Sequence, residues 1–207
     1  LTALNKTFVE TVKLQNNTTV TFNLLFTSSP ENLRIVRHVI IQPSLEVFEI
    51  ALLTNSGEEN FEGSLRLPLP QHTNLEISDS TLSFLDVFEE NGSLIFDSII
   101  VPANSSGQVS IYYTLTNHEF FLRSGEKQRL LILTTLPVLE YSNLNFSGIQ
   151  QFGGTSYRVY EGNSANCILK FKPQSGVNIG FETLAAVLSA SAILFLYLYG
   201  RRGGWEE

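Results

Sequence analysis

Cysteine occurs once in these 207 residues, at Cys167, and methionine not at all. A lone cysteine excludes an intrachain disulfide. No histidine follows it, so the Cys-then-His spacing of a cupredoxin copper loop is missing. Without methionine there is no thioether axial ligand, and no CxxCH run is present to attach a haem. Charge is scarce as well: 16% of residues are charged and the formal net charge is −7, against about 25% charged in an ordinary soluble protein. The longest basic run is Arg201-Arg202. Nucleic acid is therefore set aside as a partner, because displacing its counterions takes clustered Lys and Arg.

Catalytic patterns are missing too. His38, His72 and His118 lie far apart, with no HxH, HExxH or HxxxH spacing, and read as structural or exposed. There is no GxSxG elbow, and Gly153-Gly154 precedes a strand-like run, which makes it a hairpin turn and not a phosphate cradle. Glu58-Glu59 and Glu89-Glu90 lack the repeated oxygen spacing of a calcium loop and read as solvated turns. Cys167, in ANCILKF, alternates into a strand as a small core residue. The expectation is a non-catalytic chain with no metal and no cofactor.

What replaces charge is neutral polarity: 37 Ser plus Thr and 16 Asn, beside 43% hydrophobic residues and 11% aromatics. That apolar share excludes disorder over most of the chain. From Thr183 to Gly200 the chain carries 18 residues without a charge. At about 1.5 Å per residue such a helix approaches the thickness of a bilayer core, and extending it back to Ile179 completes the span. Tyr197, Tyr199 and Trp205 gather at one end beside Arg201 and Arg202, the aromatic belt and positive charge of a cytoplasmic face. The expectation is a single-pass protein in the cell membrane, residues 179–200 spanning it, 201–207 inside and the rest outside. That orientation requires a signal peptide, expected to have been cleaved ahead of Leu1. Along the span Ala185, Ala186, Ser189, Ala190 and Ala192 form a small-residue stripe on which another helix can pack closely.

Asn-x-Ser/Thr acceptor sequences stand at Asn5, Asn16, Asn17, Asn91, Asn104 and Asn145, in turn-like surroundings where an N-linked glycan disturbs no core. A glycosylated exterior without disulfides points to a prokaryotic, archaeal-type source, since small eukaryotic extracellular domains are mostly disulfide-stapled.

Period-two alternation dominates the first 170 residues. Val20, Phe22, Leu24 and Phe26 share one face; Phe48, Ile50 and Leu52 repeat the pattern, as do Leu65, Leu67 and Leu69, in a strand that Pro68 and Pro70 end or hold at an edge. Phe84–Phe88 and Leu94–Ile100 flank the hairpin turn at Asn91-Gly92. Val109, Ile111, Tyr113 and Leu115 alternate with Ser110, Tyr112 and Thr114. Further strands are expected at 129–134, 157–160 and 167–171. Tyr112, Tyr157 and Tyr160 are assigned to the core or a sheet face. Strands about ten residues apart, with no amphipathic helix, indicate a β-sandwich. The expected fold is therefore all-β: a β-sandwich ectodomain over 1–118, a smaller β subdomain packed on it over 119–172, a linker over 173–178, and one C-terminal transmembrane α-helix.

The stretches LEVFEIALLTNSGEENFEGSLRLPLP and VPANSSGQVSIYYTL, within residues 33–118, resemble immunoglobulin-like or fibronectin-III-like modules of prokaryotic membrane-anchored surface proteins. An N-x-G turn, an LPLP strand and a P-x-x-x-G turn punctuate successive strands there. The resemblance implies a binding, spacer or accessory module and carries no catalytic residue across. The function expected is a scaffolding or accessory subunit of a larger membrane complex, respiratory or transport-related, whose partners are integral membrane subunits, the lipid bilayer and N-linked glycans. The alternative is a cell-surface glycoprotein with an adhesin-like or surface-layer role.

Overall fold

The computed structural model describes residues 25–124 and 127–173, with the backbone of two short strands ahead of them. In chain order the strands are β1 (Thr2–Ala3), β2 (Lys6–Thr7), β3 (Phe26–Thr27), β4 (Leu33–Ile41), β5 (Glu46–Asn55), β6 (Asn60–Pro68), β7 (His72–Ser80), β8 (Asp86–Glu90), β9 (Ser93–Val101), β10 (Ser105–Leu115), β11 (Glu119–Arg123), β12 (Arg129–Thr134), β13 (Val138–Ser142), β14 (Asn145–Phe152), β15 (Thr155–Gly162) and β16 (Asn166–Phe171). The fold is all-β. Among the described residues no helix is long and apolar enough to cross a membrane. The expected span at 179–200, its small-residue stripe and the 201–207 tail lie outside the described residues.

Seven strands form the largest sheet, in the order β14-β15-β12-β4-β5-β10-β7. A four-stranded sheet, β3-β6-β9-β8, and a three-stranded one, β11-β16-β13, supply the other layers. One continuous apolar core joins side chains from all three: Val39, Val47, Leu53, Ile111 and Ile132 of the seven-stranded sheet, Leu67 and Phe96 of the four-stranded one, Phe120, Leu169 and Phe171 of the three-stranded one. Strands from 119–172 also enter the first half's sheet directly, because β12 pairs in parallel with β4 from Arg129↔Val36 to Thr134↔Ile41. The buried Thr134 hydroxyl closes that ladder, donating to the Ile41 carbonyl at 3.1 Å and accepting from Leu136 N–H at 3.1 Å.

Local chemistry explains the turns. Asn91-Gly92 links β8 to β9 with φ of 50° and 68°, and Gly153-Gly154 links β14 to β15 with φ of 54° and 83°; both are two-residue hairpins that need positive φ at each central position. β6 ends at Pro68, where a residue without an N–H cannot continue a ladder. Asn55 organises the β5–β6 turn. Its amide donates to the carbonyls of Glu59 at 2.8 Å and Val101 at 3.1 Å, and its side-chain oxygen accepts from Gly57 N–H at 2.9 Å.

One strand faces the opposite way from its apolar pattern. Val47, Glu49, Ala51 and Leu53 of β5 point into the core, while Phe48, Ile50 and Leu52 lie half-buried on the outer face of the seven-stranded sheet. Both faces of LEVFEIALL are apolar enough to bury, and the charged Glu49 settles the choice by pairing with a buried cation on β4. β10 follows its pattern, with Val109, Ile111, Tyr113 and Leu115 buried.

Replacing Asn55 by alanine strands the buried Val101 carbonyl and removes two further bonds of the turn. A loss of about 1–3 kcal/mol is expected, read as a lower urea midpoint with the slope unchanged.

Candidate functional site

A buried polar cluster lies within the apolar core. Arg37 on β4 and Glu49 on β5 are both fully buried and form a two-pronged ion pair, Nε to Oε1 at 2.6 Å and Nη2 to Oε2 at 3.0 Å. A forked guanidinium matches both carboxylate oxygens, which makes such a pair tolerable out of water. Tyr113 Oη on β10 donates to Glu49 Oε2 at 3.0 Å. Gln128, ahead of β12, accepts from Arg37 Nη1 at 3.2 Å and donates to the Arg66 carbonyl of β6 at 3.0 Å.

The electrostatics follow from that geometry. Burial works against the Arg37 charge, but the adjacent carboxylate more than offsets it and holds its pKa above the ordinary value. Burial, then the Glu49 charge, pushes the Tyr113 phenol well above its usual range, so it stays a donor. Cys167 on β16 is buried close enough to feel Arg37; burial dominates and pushes its thiol up to about 12. In that state the sulfur is a protonated thiol at neutral pH and a poor nucleophile. The cluster joins layers, and its four side chains are all buried.

The histidines stay apart, His38 on the outer face of β4, His72 at the start of β7 and His118 before β11. Among the described residues no group of His, Cys, Asp or Glu is placed to hold a metal ion. His72 Nδ1 lies 2.8 Å from the Pro70 carbonyl, and its ring meets Tyr113 edge-on at 5.6 Å. Burial, with repulsion from Arg129, pulls His38 down to about 4.

Two further features remain, one buried and one partly exposed. The outer face of the seven-stranded sheet carries a second apolar cluster, Ile40, Leu133, Phe152, Tyr157 and Val159 with Leu131 beside it, all from that sheet itself. Phe48, Ile50 and Leu52 sit next to it across the β4/β5 ladder, where Ile40 faces Phe48 and His38 faces Ile50. The second feature is an aromatic group between edge strands β13 and β14: Tyr160 lies 5.2 Å from Tyr141 and 5.3 Å from Phe146. Tyr160 is buried, whereas Tyr141 and Phe146 are exposed, as are Leu139 and Ile149 nearby in the chain. This grouping was hidden in the sequence because its members come from three strands.

The acceptor asparagines within the described residues are all exposed. Asn91 and Asn104 sit in turns with φ of 50° and 48°; Asn145 is the first residue of β14 and not a loop tip. Asn5, Asn16 and Asn17 lie outside the described residues, as do Ala185, Ala186, Ser189, Ala190, Ala192, Tyr197, Tyr199, Arg201, Arg202 and Trp205.

The chain matches no family model. It is 54% identical over 207 residues to an uncharacterized protein of Archaeoglobus fulgidus, covering all of this chain and 75% of that one. Among solved structures, an M1 zinc metallopeptidase from Deinococcus radiodurans aligns at a TM-score of 0.39 and 8% identity, over 68% of this chain and 42% of the peptidase. A GH20 exo-β-N-acetylglucosaminidase mutant from Vibrio harveyi aligns at 0.32 and 13%, over 56% of this chain and 20% of the enzyme. Each alignment thus spans less than half of the enzyme concerned, and neither carries its chemistry to this chain.

Arg37→Met alone leaves Glu49 buried without its cation and is expected to cost about 3–5 kcal/mol. The double variant Arg37→Met, Glu49→Leu regains most of that in chemical denaturation. For His38, the folded pKa near 4 lies below the unfolded value of about 6.5. Between those values the unfolded chain binds the extra proton, so stability falls as pH drops from about 6.5 toward 4. His38→Gln flattens that part of a stability-versus-pH curve.

Proposed function

We propose a non-catalytic role for this chain, which belongs to the family of the Archaeoglobus fulgidus protein: a membrane-anchored accessory or scaffolding subunit that presents a β-sandwich platform to a larger membrane complex. The observation that carries the reading is the unbroken seven-stranded sheet. It runs through both halves of the described chain, and its outer face bears the apolar cluster around Ile40 and Val159. A sheet shared by two halves leaves no hinge between them, which suits a part that holds others at fixed geometry. Beside that buried cluster Phe48, Ile50 and Leu52 are only half-buried, and apolar side chains left part-exposed on a sheet face are the kind that pack against another protein.

The anchor is the uncharged Thr183–Gly200 stretch with its flanking Arg201 and Arg202, and the Ala185/Ser189/Ala192 stripe gives a partner helix close approach. The sandwich then lies outside and the tail in the cytoplasm. Packing of the β4-β5-β10-β7 part of the large sheet against β3-β6-β9-β8, with Leu, Ile and Val between them, supports an immunoglobulin-like or fibronectin-III-like module. The archaeal relative supports the prokaryotic side of that resemblance. Exposure of Asn91, Asn104 and Asn145 favours glycosylation and keeps a second reading in view, a cell-surface glycoprotein with an adhesin-like or surface-layer role.

Extraction in mild detergent at native abundance separates the two. An accessory subunit co-purifies in fixed stoichiometry with an integral membrane protein, and Ile50→Asp on the outer face releases that protein while the circular dichroism spectrum is kept. Recovery free of any integral membrane protein, with binding to glycans or neighbouring cells, contradicts the first reading and supports the second.

A further inference from the structure

Unpaired strand edges invite pairing with another chain, and proteins guard them with charge, proline, bulges or shortness. Among the described residues the edges of the three larger sheets are guarded, with one exception. β7 carries Glu76 and Asp79 and is interrupted twice in register; β8 carries Asp86, Glu89 and Glu90; β11 carries Glu119 and Arg123; β13 carries Glu140 and a register shift; β3 has only two residues. β14, NFSGIQQF, is eight residues long and holds neither a charge nor a proline. Its one irregularity, between Phe146 and Gly148, lies in its first half and leaves Ile149–Phe152 in regular register with β15. Among the described residues no strand pairs with its outer edge.

The hairpin fixes which groups that edge offers. Phe152 and Thr155 close the two-residue turn at Gly153-Gly154, and in such a hairpin the closing pair exchanges both backbone bonds. Gln150 and Phe152 therefore turn their peptide groups toward β15, while Ile149 and Gln151 turn their N–H and C=O outward. Phe146 and Ile149 are 46% and 62% exposed, so apolar surface accompanies the outward-turned backbone groups.

We infer that β14 is a homodimerisation edge: it pairs antiparallel with β14 of a second copy about a two-fold axis at Gln150, joining two seven-stranded sheets into one. Ile149 of each copy then exchanges backbone bonds with Gln151 of the other, and the two Ile149 side chains meet diagonally on one face, within reach of each other. A second copy is the occupant that the charge pattern selects. Two-fold pairing sets each residue against its own kind, so β7 or β8 would bring carboxylates together, whereas β14 meets itself without like-charge repulsion. The inference rests on the strand edge alone and does not require the membrane anchor.

The test uses the full chain in detergent. At the two-fold axis Gln150 faces its counterpart as a non-hydrogen-bonded pair, about 4.5 Å between Cα atoms, within the span of a disulfide. Gln150→Cys is expected to give a disulfide-linked dimer under mild oxidation, while Ser78→Cys on the β7 edge does not; buried Cys167 stays silent in both. Ile149→Lys places two like charges beside the axis and is expected to shift the native mass from dimer to monomer, with the melting temperature kept. A monomeric parent chain, a Gln150→Cys variant that links no faster than Ser78→Cys, or a dimer that survives Ile149→Lys each overturns the inference. None of these results touches the accessory-subunit reading, which the membrane co-purification tests separately.

Discussion

An arginine and a glutamate taken wholly out of water set the terms for the rest of this fold. Burying either alone would cost several kcal/mol, so Arg37 and Glu49 are tolerable only where β4 and β5 meet in the register that places them side by side with Tyr113 and Gln128 completing their bonds. That requirement is stricter than the apolar pattern around it. A one-residue slip in either strand sends its charge to the outer face and breaks the pair, whereas Phe48, Ile50 and Leu52 would fill a core about as well as Val47, Ala51 and Leu53. Hydrophobic burial stabilises the all-β fold, and the ion pair selects the register in which it forms.

The same pair sits at the junction of the two halves. β4 has β5 on one side and β12 on the other, and Gln128, 91 residues along the chain from Arg37, reaches back to bond it while also holding the Arg66 carbonyl in the facing sheet. On the third layer Cys167 packs within reach of the Arg37 charge. Ladder, polar network and continuous core therefore converge on one place. Residues 119–172 add strands to the first sheet and close the far end of one core.

Much of this was legible in the sequence where a strand is buried on one face only. Val109, Ile111, Tyr113 and Leu115 alternate cleanly because the other face of β10 carries Ser110, Tyr112 and Thr114, and the Asn91-Gly92 hairpin announces itself by turn chemistry. Where both faces are apolar, periodicity has nothing to report: LRIVRHVII of β4 hides an inward arginine among aliphatic residues, and LEVFEIALL of β5 gives the wrong face. The uncharged edge β14 shows no alternation and passes for a polar loop, although that lack of pattern is what marks it as unguarded. Long-range partners such as β4 with β12, or Tyr141 and Phe146 around Tyr160, leave no local trace, since the contact is made by folding and not by spacing.

The scarcity of charge and the emphasis on neutral hydrogen-bonding groups take on structural sense here. Charges that remain are placed with purpose: carboxylates along the β7 and β8 edges, and one ion pair at the centre. Through that centre the two halves form one cooperative body, and calorimetry of the full chain reads that cooperativity. A single unfolding transition of the β-structure is expected, with calorimetric and van't Hoff enthalpies in a ratio of about 1. Two resolved transitions, one for each half, would contradict it.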